Sequence, residues 1–126
     1  MNNVRTLMPV EYAPIQLDAL DLLKSNLGEG VGQDVISRAA EAVVDRMDQL
    51  ETALDRDDLP EVAKLSRRLA RIADHIGMHK FARIAEDLEA CAKAADRNAL
   101  AAISGRLQRV GQLNVCDVVH LSEENT

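Results

Sequence analysis

The feature that most constrains this chain is a run of apolar residues spaced for one face of a helix, repeated along its length. Between Val62 and Ile76 they fall at Val62, Leu65, Leu69, Ile72 and Ile76, in steps of 3, 4, 3 and 4. At about 100° per residue, that spacing draws one stripe on an α-helix. The same steps run from Ile36 through Ala40, Val43, Met47 and Leu50 to Leu54. They recur from Phe81 through Ile84, Leu88 and Cys91 to Ala95, and from Leu100 through Ile103 and Leu107 to Val110. Seams of this kind pack helix against helix.

Local signals place the breaks. Asp58-Leu-Pro-Glu61 predicts a helix start, with Asp58 as N-cap, Pro60 in the first turn and Glu61 completing a capping box. Gly77 predicts a left-handed C-cap. Asp96 or Asn98 caps the last helix. Gly105 inside it costs about 1 kcal/mol against Ala, which close helix contact would offset. A short helix over about 15–26 is expected to bury Leu17, Leu20 and Leu23. The three glycines within 28–32 read as a stop and a flexible link before a helix over 33–55.

The expected architecture is all-α: an antiparallel up-down-up-down four-helix bundle with a short N-terminal cap helix. It is read as one domain over 1–126, with the bundle at about 15–113 and extensions at 1–14 and 114–126. Hydrophobic residues make up 47% of the chain, but Phe81 and Tyr12 are its only aromatics, so the core must be aliphatic. A chain of 126 residues buries roughly two-thirds of its unfolded surface and folds without disulfide or metal. The extensions carry Val4, Leu7, Met8, Val10 and Tyr12 at one end and Val115, Cys116, Val118, Val119 and Leu121 at the other. They are expected to pack on the bundle, on each other, or across a homodimer interface.

The net charge of −6 argues against a general nucleic-acid binder. Cys91 and Cys116 are too few and too far apart for a disulfide framework or a zinc site, and Cys91 sits on a seam as a small hydrophobe. No stretch is apolar enough for a membrane span or signal peptide, so the expected location is the cytoplasm. No cofactor and no metal is expected.

The order and spacing of the hairpin resemble a family, the histidine-containing phosphotransfer (Hpt) domain of bacterial phosphorelays. The resemblance runs from about Leu17 to Val110. Gly77 matches the family's turn glycine, Phe81 its next apolar anchor, Ala85 a small position, and Leu88-Glu89 the closing pair. Counting back from Gly77, the family's phosphorylated histidine falls on Arg67, its lysine on Ala70 and its glycine on Arg71, while Leu69 is kept. The packing residues match and the chemical ones do not. The family reaction needs a neutral imidazole as nucleophile, and a guanidinium stays protonated. The resemblance therefore implies a degenerate module, not an enzyme. Such a module would dock a response-regulator receiver domain or a histidine kinase without carrying phosphate at this position.

Arg67 lies opposite the apolar stripe, flanked by Ala63, Ala70, Arg71 and Asp74. With Lys64 and Arg68 these residues form the expected docking face; the plainer reading is a solvated helix face. His75, about 80° further round the helix, reads as a half-buried helix-end histidine near the negative end of the dipole or as a substitute phosphoacceptor. Asp74, His75 and His79 around a helix stop make a weak metal motif. Outside two-component signalling, a helical adaptor or dimerisation module fits the same sequence.

Overall fold

The computed structural model describes residues 13–124, and every regular element within them is a helix. These are α1 (Leu17–Leu27), α2 (Glu29–Asp55), α3 (Leu59–His75), α4 (His79–Lys93) and α5 (Arg97–Glu124). Helix α2 packs on α3, α3 on α4, α4 on α5 and α5 back on α2, with α1 against α2. Short links between successive long helices make the bundle up-down-up-down. Residues 1–12 lie outside the described chain, so the expected packing of Val4 through Tyr12 is not part of this description.

The apolar stripes face inward as the spacing requires. Ile36, Val43, Leu50, Leu65, Leu69, Ile76, Phe81, Leu88 and Leu107 are all essentially sealed from solvent. Ile72 and Ile103 are only partly buried at the edge of this core. Helix α3 buries a second stripe, Ser66, Ala70 and Ala73, beside the first. Helices α2 and α4 flank it on two sides, and small residues let the second neighbour come close.

Helices α2 and α5 have 27 and 28 residues, against 17 and 15 for α3 and α4. The long pair therefore projects past the α3–α4 turn, and α1 fills the step. The Gln16 N–H donates to the Gly77 carbonyl at 2.8 Å, and Asn114 Nδ2 donates to the Ala13 carbonyl at 2.7 Å.

Several expectations are corrected. The glycine-rich link is not a loop: only Gly28, at φ 89°, breaks the chain, and α2 already begins at Glu29. Gly32 lies inside α2 because a Cβ there would stand 2.7 Å from the Lys24 Cα. It is a packing glycine, and α1 crosses α2 on top of it. Helix α1 starts at Leu17, which is 52% exposed rather than buried; Leu20 is buried and Leu23 half-buried.

Asp58 caps α3 by accepting from the Glu61 N–H at 3.3 Å, but its own N–H donates to the Ala53 carbonyl, so the reciprocal half of the capping box is not made. Asp96, not Asn98, caps α5, accepting from the Ala99 N–H at 3.2 Å. The C-terminal extension is no separate tail: α5 continues to Glu124, burying Val118 and half-burying Val115 against the bundle, while Cys116 and Val119 are exposed and the side chain of Leu121 lies outside the described residues. Gly105 has no close neighbour except an Arg109 side-chain nitrogen 3.7 Å from where its Cβ would be, so no close helix contact offsets its cost.

Candidate docking surface

The α3–α4 hairpin places the residues singled out in the sequence. Gly77 ends α3 at φ 80°, a conformation that suits glycine, and its missing Cβ makes room for the Gln16 carbonyl. The hairpin thus folds back at a set point, bringing α4 alongside the outward face of α3.

Arg67 stands in mid-α3 with its side chain 59% exposed. Its Nε donates to Glu89 Oε2 at 3.0 Å, and Lys93 Nζ meets the same oxygen at 3.1 Å. Glu89 is only 15% exposed, so the carboxylate is the anchored partner and the cations reach outward from it. Burial pushes the Glu89 carboxyl up, but hydrogen bonds from Lys93 and Arg67 outweigh it and hold the group below its usual range. Among the described residues, nothing bonds the terminal nitrogens of Arg67, and no acid pairs with Lys64, Arg68 or Arg71. These residues line one shallow concavity together with Pro60, Ala63 and Lys93.

The surface differs from the expected one at three places. Ala70 is buried in the core and is no part of the outward face, while Ala63 lines the concavity but is half-buried. Asp74 turns away toward α4, with its Oδ1 3.7 Å from an Arg83 nitrogen and 4.0 Å from His79 Nε2. Glu89 and Lys93, on the neighbouring helix, complete the surface and were not among the residues picked from the sequence. The resemblance had matched Glu89 as one of a closing pair, but nothing in the spacing connects it to Arg67.

His75 is exposed rather than half-buried, because the helix end leaves it outside the stripe that α4 covers, and its Nδ1 lies 2.8 Å from the Arg71 carbonyl. A carbonyl only accepts, so Nδ1 carries the proton in this contact. Among the described residues, no three His, Cys, Asp or Glu side chains converge as metal ligands. Cys91 is half-buried, and burial, with lesser help from Asp96 and Asp87, raises its thiol above the ordinary value. A second, more apolar groove lies between α2 and α5, lined by Val44, Met47, Val115 and Cys116. It gathers no comparable charge. None of the described helices is long and apolar enough to cross a membrane.

The chain matches no protein-family model and no curated protein. Among solved structures it is similar to the histidine-containing phosphotransfer protein B (HptB) of Pseudomonas aeruginosa, with a TM-score of 0.77 over 88% of this chain and 92% of that one. The two are 15% identical in sequence. At that identity the likeness establishes the fold: this bundle is the fold of an Hpt protein.

Proposed function

We propose that this chain is an Hpt-like signalling module that docks a receiver domain or histidine kinase of a phosphorelay and carries no phosphate at the family's usual position. One observation carries the reading. Arg67, which falls on the family's histidine by spacing from Gly77, is exposed in mid-helix beside Lys64, Arg68 and Arg71, which pair with no acid among the described residues. A guanidinium does not attack phosphorus at any physiological pH, yet its fork suits the carboxylates of a receiver pocket. The surface is basic on a chain of net charge −6, so the attraction is local and directed.

The test is binding to purified receiver and kinase domains from the same genome. Arg67→Ala should weaken the complex by about 2 kcal/mol or more, and Arg67→Lys should also weaken it because an ammonium lacks the bidentate fork. Raised salt should slow association. Binding that ignores Arg67 would favour an adaptor outside phosphorelays.

A second reading has an observation of its own. His75 is exposed, and donation from Nδ1 to the Arg71 carbonyl makes Nε2 the free nitrogen of the neutral ring, as a substitute phosphoacceptor requires. Incubation with a phosphorylated receiver would then place acid-labile phosphate on this chain, and His75→Ala would abolish it.

A further inference from the structure

The docking surface holds more positive charge than a carboxylate partner requires. Five cations, Lys64, Arg67, Arg68, Arg71 and Lys93, line one concavity, and one carboxylate, Glu89, pairs with two of them, Arg67 and Lys93. Glu89 takes Arg67 by Nε alone and fixes the guanidinium from its inner side. The Arg67 side chain is 59% exposed, and its terminal nitrogens make no bond among the described residues, beside Lys64, Arg68 and Arg71. That is a fork anchored at Nε with its terminal nitrogens unbonded. A single carboxylate uses one such fork. A phosphoryl group brings about −1.5 to −2 charges and three strong acceptor oxygens, and so engages the fork and its neighbours together.

We propose that this surface reads the phosphorylation state of its receiver partner. Arg67 and the flanking cations bind the aspartyl phosphate by charge-assisted hydrogen bonds, and the acyl-phosphate bond stays intact. None of the residues of the surface is an imidazole or a thiol, so nothing in the contact takes the phosphoryl group. The inference rests on the docking reading above and adds a preference within it.

The experiment measures the affinity of the full chain for the receiver in Mg2+ alone and in Mg2+ with beryllium fluoride, the probe that mimics aspartyl phosphate. The expected result is at least about tenfold tighter binding of the beryllium fluoride form, as added charge-assisted contacts supply. Arg67→Gln keeps helix propensity and a polar end but removes the charge and the fork. It should bring the ratio of the two affinities close to one, and Arg71→Gln should lower it. Equal affinity of the two forms would overturn this inference and leave docking in place. A preference that survives Arg67→Gln would overturn it too, since beryllium fluoride would then act through the receiver's own rearrangement. Binding of neither form would remove both readings. In a companion measurement with 32P-labelled receiver, label should stay on the receiver and last longer with this chain present; label moving to this chain would overturn the inference.

Discussion

Arg67 is held at one nitrogen and open at the others, and the residue that sets this asymmetry is 22 positions away on another helix. The residue before it is the opposite case. Ser66 is fully buried, and its hydroxyl has no partner among the described residues. An unpaired buried hydroxyl costs free energy, and Ala is the better helix former. Ser66→Ala should therefore leave the melting temperature unchanged or raise it, by up to about 1 kcal/mol of stability; a clear loss would mean that the hydroxyl is satisfied after all. The glycines of α5 make a sharper contrast. A Cβ at Gly105 meets only a mobile arginine tip, so Gly105→Ala should stabilise by about 1 kcal/mol. A Cβ at Gly111 would stand 2.7 Å from Met47 Cε and 2.8 Å from the Phe81 ring. Overpacking there costs about 1–3 kcal/mol, more than the helix-propensity gain of about 1 kcal/mol, so Gly111→Ala should destabilise. Opposite signs in denaturant titrations of the two variants are the check.

At the scale of the helix, three successive C-termini use one device. Helices α2, α3 and α4 each end on a residue of positive φ, namely Asp57, Gly77 and Ala95. In each, the next N–H reaches back to the third residue from the helix end: Asp58 to Ala53, Met78 to Ala73, and Asp96 to Cys91. Glycine suits this conformation at Gly77, and Asp57 tolerates it better than most side chains. Asp57 is also forked by Arg97, at 3.0 and 2.7 Å, which ties the α2–α3 turn to the start of α5. Ala95 has neither advantage. Ala95→Gly should stabilise by about 0.5–1 kcal/mol, the left-handed cost of Ala less the added freedom of the unfolded chain. Asp57→Gly should show no such gain, because it gives up the Arg97 fork. The far end of α5 is an element in its own right. Deleting residues 115–126 removes the buried Val118 and should lower the melting temperature by at least a few degrees, as loss of one buried aliphatic side chain implies.

For the molecule as a whole, acid is the informative stress. The Asp57 carboxyl is held low mainly by its hydrogen bond from Arg97. The Glu89 carboxyl is held low because Lys93 and Arg67 outweigh its burial. A carboxyl whose folded pKa is depressed stabilises the fold above its unfolded value, about 4, and loses that contribution as pH falls through the folded value. Stability should therefore be flat from neutral pH to about 5 and fall below about 4. Glu89→Gln should flatten part of that fall. The same variant should also loosen Arg67, so under the docking proposed above receiver affinity and acid sensitivity should change together. The core sets the larger scale: Leu69→Ala, at a site with no exposure, should cost about 2–5 kcal/mol.

Whatever in this protein depends on neighbours along the chain was legible in its sequence. The four apolar stripes follow from the helical period. The Asp58 cap follows from its place three residues before a Glu and two before a Pro, and the stop at Gly77 follows from the freedom of a residue without a Cβ. From these came the bundle, its order and the exposure of Arg67. What depends on the partner helix was not legible. Gly28, Gly30 and Gly32 look alike as letters, yet one breaks a helix, one is solvated inside it and one lies under Lys24. Ala70 reads as part of an outward face until α3 is found packed on two sides, which buries a second stripe of small residues. Glu89 and Lys93 join Arg67 only because the hairpin folds at Gly77 and brings α4 across α3. Periodicity states which face of a helix is apolar. How wide that face is, and which charges border it, is set by the side chains that the adjoining helix brings within hydrogen-bond reach.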